Sequence, residues 1–258
     1  MSPDAGIIEY RKADHVGILT MRHAPHNLVG KALCSALIAA LHGAQADGCR
    51  ALVLNSGLRH FSAGADLDLF ANGGERMHEL DATGVLRAFD ELPMPTLASV
   101  HGVALGGGFE LALACDLVVA SASSKFGLVE ATLGLHPLMG GIQRVMQRAG
   151  AARAKEIVML GRRHDAATLE RWGIVNRVVA DAQLEEVTLS LARELAQGPT
   201  VAHAATKRLS NIYLDQGMRA CDDMMAEVQR PIFASGDLQR GLDSFKASGP
   251  GNAVFQGN

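Results

Sequence analysis

The sequence is short of cysteine. Cys34, Cys49, Cys115 and Cys221 are far apart and form no CxxC pair. That excludes a disulfide scaffold and a cysteine-built zinc site as readings, and leaves reduced, mostly buried thiols. The ten histidines show no metal-ligand spacing either, so no metal is expected. An excess of one charge is also lacking. The formal net charge is −3, with no basic stripe for nucleic acid and no cationic face for a membrane. Any anionic ligand must therefore be held by a local clamp. No apolar run approaches the length of a membrane span. The opening MSPDAGIIEYRKADHVGILT has no charged-then-apolar leader pattern. The expectation is a soluble, cytoplasmic protein. No dinucleotide fingerprint follows a strand.

What is present is enough to build a sizeable core. Hydrophobic residues make up 48% of 258, with 28 Gly and 8 Pro, which allows one or two domains. VGILTM (16–21), ALVLNS (51–56), TLASVHG (96–102) and LVVAS (117–121) read as strands. ALCSALIAALHGAQAD reads as a helix with one apolar face, and residues 79–92 as a helix stopping before Pro93. NGGE (72–75) reads as a mobile loop. Strand, turn and helix alternate, which predicts an α/β body with mostly parallel pairing. After about residue 140 helices follow in series. Gly161, Gly173 and Gly198 stand at their C-terminal stops, and ASGPGNAVFQGN forms a Gly-rich tail.

Three segments concentrate chemistry. The first is HGVALGGGFELALACD (101–116), where Gly106, Gly107 and Gly108 precede a run that is apolar all round except for Glu110. A helix starting there presents free N–H groups to whatever lies before it, which suits a developing negative charge on oxygen. The same triplet also fits a tight strand-to-helix packing turn. Glu110 reads equally as a first-turn residue offsetting the helix dipole and as a functional buried carboxyl. The second segment, KFGLVEATLGLHPLMGGIQR (125–144), holds Glu130 in another apolar run beside glycine turns. Two such carboxylates can hold one water and pass its protons. The third, HFSAGADLDLF, places the small Ala63, Gly64 and Ala65 before Asp66 and Leu67. Small side chains let a second backbone N–H face the same point, while Asp66 is also a candidate cap for the next turn. His101, His60, His136 and Trp172 read most simply as structural or rim residues.

At these residues the sequence resembles the enoyl-CoA hydratase/isomerase, or crotonase, family. FSAGADL, PTLASVHGVALGGGFELALACDLVVAS, KFGLVEATLGLHP, GRRHDAATLERWGIVNRVV and SGDLQRGLDSF carry the likeness, which runs from about residue 16 to the C-terminus. The resemblance implies an α/β fold, a crotonase-type spiral of ββα units (1–198), with a helical C-terminal trimerisation region (199–258). It implies a homotrimer or a hexamer made of two trimers. It maps the oxyanion-hole N–H groups onto Ala65 and Gly107 and the hydratase glutamates onto Glu110 and Glu130. The implied substrate is an acyl-CoA thioester; coenzyme A is part of that substrate and no separate cofactor is required.

The segment MRHAPHNLVGKAL (21–33) departs from the family pattern of an Arg-Pro pair, a basic residue and Asn-Ala. His26 takes the place of the usual basic contact to the CoA phosphates, and Arg22 is the candidate for rebuilding that clamp. Leu138 and Met139 stand where a small residue is common after the loop proline, and are expected to narrow the acyl pocket. Arg240 replaces a common acidic residue in the tail. Lys246 is then the basic residue available to a CoA phosphate across a subunit boundary. Aromatics at 4% give no sign of a pocket for an aromatic acyl group. The reading is an enoyl-CoA hydratase adding water across the 2,3-double bond. The alternatives are another crotonase-family reaction (isomerase, specialised acyl-CoA dehydratase or hydratase-lyase) and a catalytically silent binding subunit.

Overall fold

The computed structural model describes residues 6–258. The main sheet opens with a hairpin, β1 (Ile8–Ala13) antiparallel to β2 (Val16–Met21), and every later strand joins it in parallel. Helix α1 (Lys31–Ala46) crosses to β3 (Ala51–Ser56). A turn-rich segment containing α2 (Ala71–Gly74) and then α3 (Ala82–Asp90) leads to β4 (Thr96–Val100). Next come β5 (Val103–Leu105), α4 (Gly107–Ala114), β6 (Leu117–Ser121), β7 (Lys125–Gly127) and α5 (Gly141–Leu160). The last strands are β8 (His164–Asp165) and β9 (Arg177–Val179), separated by α6 (Ala166–Arg171). Six strands form one sheet in the order β1-β2-β3-β4-β6-β9, and β5-β7-β8 form a second. Main-sheet strand, small-sheet strand and helix thus follow one another twice, as β4-β5-α4 and β6-β7-α5. This is the spiral of ββα units that the family resemblance implies. Helices α7 (Leu184–Gln197), α8 (Thr200–Gln216), α9 (Met218–Ala234) and α10 (Gly236–Ser248) complete the chain.

A parallel sheet must be covered on both faces, and the alternation along β2, β3 and β4 divides the work. Leu19, Met21, Leu52, Leu54, Ala98 and Val100 belong to the larger core, with Leu33, Leu37 and Leu41 of α1. Those helix positions recur every four residues, which aligns them on one face. Ile18, Val53 and Leu97 point the other way, onto Ala192 and Ala196 of α7. Helix α4 is buried at all eight positions, as its unbroken apolar run demands.

The sequence misplaced some boundaries and missed short elements. Helix α3 starts at Ala82 because the Asp81 carboxylate accepts the Gly84 N–H at 2.8 Å, an N-cap. Residues 72–73 lie in a helical turn with left-handed backbone (φ 51° and 73°) rather than an open loop. Strand β1 was missed because it is an edge strand with Glu9, Arg11 and Lys12 outward. Strands β5, β7, β8 and β9 are too short to carry a period. The Gly-rich tail is anchored. The buried Asp237 carboxylate accepts the Gln256 and Gly257 N–H groups, both at 2.7 Å. Arg240 donates to Asp237, Gln256 and Asn258, which explains a cation at that position. Arg50 of the α/β body donates to Gly198 O, Thr200 Oγ1 and Phe255 O, tying both sides of the expected 198/199 boundary together.

Asn27 organises the loop that matters most. It is fully buried with φ 51°, a backbone that asparagine tolerates better than most residues. Its Oδ1 accepts the His23 N–H at 2.8 Å, and its Nδ2 donates to Ser56 Oγ (2.8 Å) and Phe61 O (3.0 Å). Its carbonyl accepts the Ser62 hydroxyl at 2.7 Å. Asn27→Ala removes three hydrogen bonds and strands their buried partners. The expected loss is about 2–3 kcal/mol of unfolding free energy, read as a lower urea midpoint.

Candidate active site

Two backbone N–H groups define the centre of the site. Val29 bridges the loop after β3 by donating to Gly64 O (2.8 Å) and accepting from Asp66 N (2.9 Å). In a parallel bridge of this kind the intervening N–H, that of Ala65, points away from the partner strand. The second is the Gly107 N–H in the first turn of α4, where no intrahelical acceptor exists. Among the described residues neither amide has an acceptor. They are neighbours: a Cβ added to Gly107 would lie 3.7 Å from the Ala65 nitrogen and 3.3 Å from Val29 Cβ. The flanking glycines are needed for other reasons. Gly106 has φ 47° and ψ −126°, and a Cβ on Gly108 would meet Ser62 Oγ at 2.5 Å. Two such donors, fixed by the fold and unpaired, are suited to hold one oxygen on which charge develops.

Glu110 sits one turn into α4 and is 2% exposed. Its Oε1 accepts the Met139 and Gly141 N–H groups, both at 2.8 Å, at the start of α5. Burial pushes its pKa up to about 7; the hydrogen bonds from Gly141 and Met139 oppose that rise, and Glu130 adds to it by repulsion. Glu130 opens a single helical turn, Glu130–Leu133, after β7. Its Oε1 lies 3.0 Å from where a Cβ on Gly106 would be, so it faces the start of α4. Its Oε2 is buried with no protein partner. Burial raises its pKa too, while His136 pulls it down. Burial holds both carboxyls above the ordinary range, and repulsion from Glu130 adds to the rise at Glu110, the setting in which paired carboxyls divide acid and base roles.

The remaining expected residues divide. Ala63 and His26 border the loop: the His26 carbonyl accepts the Ala63 N–H at 3.0 Å, and the His26 ring lies 6.2 Å from that of His60. Leu67 is exposed beside it. Asp66 caps the turn that follows, its Oδ1 accepting the Asp68 N–H at 3.1 Å. The Leu138 side chain is 38% exposed while Met139 is buried in the core; the backbone between them passes Glu110. Arg22 does not join this group. It extends from the face of β2 that meets α7, pairs with Glu9 at 2.5 Å, and lines a cleft with Thr20 and Asn55. Lys246 lies exposed in the last turn of α10. His101 Nε2 donates to Leu58 O at 2.7 Å, the structural part expected of it. Burial pushes the Cys34 and Cys115 thiols up to about 12, which makes them inert at neutral pH.

Sequence reasoning missed two features. The amides of Met139 and Gly141 hold Glu110, and the only trace was the Gly140–Gly141 pair opening a helix. Arg148 of α5 donates to Leu113 O (3.2 Å), Cys115 O (2.7 Å) and Ile174 O (3.0 Å), which no local pattern announces.

Comparison with known proteins agrees with the fold. The enoyl-CoA hydratase/isomerase family profile matches residues 11–253. A probable enoyl-CoA hydratase of Rhizobium meliloti is 36% identical over 246 residues, covering 90% of this chain and 91% of the relative. Carnitinyl-CoA dehydratase of Salmonella typhi is 36% identical over 202 residues, 76% of this chain and 77% of that one. The crystal structure of enoyl-CoA hydratase from Bacillus anthracis superposes with a TM-score of 0.89 at 29% identity, covering 98% of this chain and 100% of the other. The chain belongs to the enoyl-CoA hydratase/isomerase, or crotonase, family, and is a crotonase-fold enzyme of that family.

The titration of Glu110 has a consequence for stability. Its folded-state pKa of about 7 exceeds the ordinary 4.5 of an unfolded chain. Its contribution is therefore complete below 4.5 and lost as the pH rises through 7. Relative to wild type, Glu110→Gln gains stability between about pH 5 and pH 8, by up to about 3 kcal/mol. Urea unfolding at several pH values measures this; a difference that stays constant across that window contradicts a neutral buried carboxyl.

Proposed function

We propose that the protein is an enoyl-CoA hydratase. The observation that carries this reading is the pair Glu110, buried, and Glu130, half-buried with its Oε2 enclosed, both of raised pKa, beside the unpaired Ala65 and Gly107 amides. The thioester oxygen of a 2-enoyl-CoA takes those two amides. Water held between the carboxyls attacks C3: its oxygen forms the new C–O bond and its proton passes to the ionised carboxylate. The C2=C3 electron pair moves onto the thioester as an enolate, whose charge the amides stabilise. The protonated carboxyl delivers its proton to C2, giving the 3-hydroxyacyl-CoA. A preorganised donor pair of this kind contributes about 3 kcal/mol per donor to the transition state.

Coenzyme A enters as part of the substrate, and the chemistry calls for no separate cofactor or metal. His26, at the edge of the loop, is suited to a CoA phosphate. Arg22 is not, being turned to the α7 face. In a homotrimer or a hexamer, the exposed Lys246 is our candidate for a CoA phosphate of a neighbouring subunit. A cytoplasmic location is part of the same proposal. Separately, no helix among the described residues is long and apolar enough to cross a membrane.

Dehydration of a 3-hydroxyacyl-CoA is the second reading, favoured by the 36% identity to carnitinyl-CoA dehydratase. It uses the same groups in reverse.

Loss of enone absorbance on mixing with a series of 2-enoyl-CoA chain lengths tests the first reading, and carnitinyl-CoA in the same panel tests the second. Glu110→Gln and Glu130→Gln are each expected to lower kcat by about 10²- to 10⁴-fold while acyl-CoA binding persists. Full activity in Glu130→Gln rules out the two-carboxyl mechanism, and no absorbance change at any chain length rules out hydration.

A further inference from the structure

Glu110 and the Gly107 amide are both carried by α4, a helix of only eight residues. Such a helix has nearly as many unsatisfied terminal groups as internal hydrogen bonds, and here both ends are buried. At its first turn, Glu110 accepts the two amides that open α5. At its last turn, the carbonyls of Leu113 and Cys115 receive Arg148 of α5. The contacts advance in the same order along both segments, so α4 and the first part of α5 run side by side in the same sense. Helices so aligned set their positive ends together and their negative ends together, which is electrostatically unfavourable. A carboxylate between the N-termini and a guanidinium at the α4 C-terminus offset both ends.

Arg148 has the features of a fixed strut rather than an incidental surface cation. It forms no ion pair among the described residues. The nearest carboxylate, Asp116, is occupied by Thr96 and Lys207. Nη2 spans the Leu113 and Cys115 carbonyls while Nη1 reaches Ile174, beyond α6. The planar fork serves these acceptors from two separate nitrogens held rigidly in one plane, which a single ammonium nitrogen cannot reproduce. Burial pulls its pKa down, and the charged or titratable groups facing it are Cys115, Asp116 and Arg144. Those facing Glu110 and its partner are Glu130 and His136.

We propose that Arg148 is a positioning residue for the reacting centre, locking α4 to α5 so that Glu110 stays on the Met139 and Gly141 amides and the Gly107 amide stays aimed at the substrate oxygen. The part concerning substrate rests on the hydratase reading; the part concerning Glu110 does not. If the lock is lost, α4 slides, Glu110 loses amide donors in a dry site, and its proton is held more tightly.

The test uses the full-length protein with Arg148→Met, which keeps the aliphatic length, and Arg148→Lys, which keeps the charge but not the fork. Steady-state kinetics with 2-enoyl-CoA are paired with a ¹³C NMR titration of labelled glutamate, the Glu110 signal being assigned by its absence in Glu110→Gln. In Arg148→Met, kcat is expected to fall about tenfold or more with KM within about threefold. The Glu110 titration is expected to move up by at least about half a pH unit. Arg148→Lys is expected to lie between that variant and wild type. A variant with a lower Tm but wild-type kcat and an unmoved Glu110 titration overturns the proposal, since Arg148 then serves packing alone. If Arg148→Met does not fold, the same two readouts on Arg148→Lys decide it. If the wild-type protein hydrates no enoyl-CoA, the hydratase reading falls, and the NMR titration still decides whether Arg148 positions Glu110.

Discussion

The hydrogen bonds from the Met139 and Gly141 amides to Glu110 Oε1, both 2.8 Å, are the constraint on which the site depends. A carboxyl that is 2% exposed is costly to ionise unless something replaces its water. Two amides at a helix start replace part of it, and burial and Glu130 resist. The balance leaves Glu110 poised near neutrality, the condition a general acid or base requires. Everything around it serves to hold that balance: the buried α4, the turn that ends in Gly140 and Gly141, and Arg148 beneath.

The architecture places these parts by stacking. Main-sheet strands β4 and β6 each run on into a short strand of the second sheet before the helix begins. The helix N-terminus therefore emerges in the angle between the sheets, where the loop after β3 also arrives. Asn27 and Val29 clamp that loop from the segment before α1. The Ala65 and Gly107 amides meet because two consecutive layers of the spiral are in register, as the bridge between Ser62 and Ala104 records.

Much of this was legible along the chain. The long strands announced themselves through runs such as VGILTM, whose side chains are covered on both faces. Helix α4 announced its burial by having no polar side. Glu110 and Glu130 stood out because a carboxyl in an apolar run needs a reason; Ala65 and Gly107 were picked out by the family resemblance, within stretches whose small residues expose backbone. Short strands were not legible: two or three residues carry no period. Nor was the anchoring of the tail, since Asp237 takes its partners some twenty residues away, across a Gly-rich stretch that by composition reads as loose. Arg22 shows the limit most clearly. Its charge suited a phosphate, but the parity of β2 turns it to the opposite face of the sheet, where Glu9 receives it.

The sequence by itself determined the kind of fold and marked the candidate groups for the chemistry, because hydrophobic period, glycine placement and isolated charge are local properties written into neighbouring residues. Only the tertiary structure decided what those groups are chemically. Whether Glu110 is ionised depends on burial, on amides 29 and 31 residues away in the chain and on a second carboxyl. Whether a cation reaches a ligand depends on the face to which its strand turns it. Solvation and electrostatics are sums over neighbours in space, and those neighbours exist only once the chain has folded.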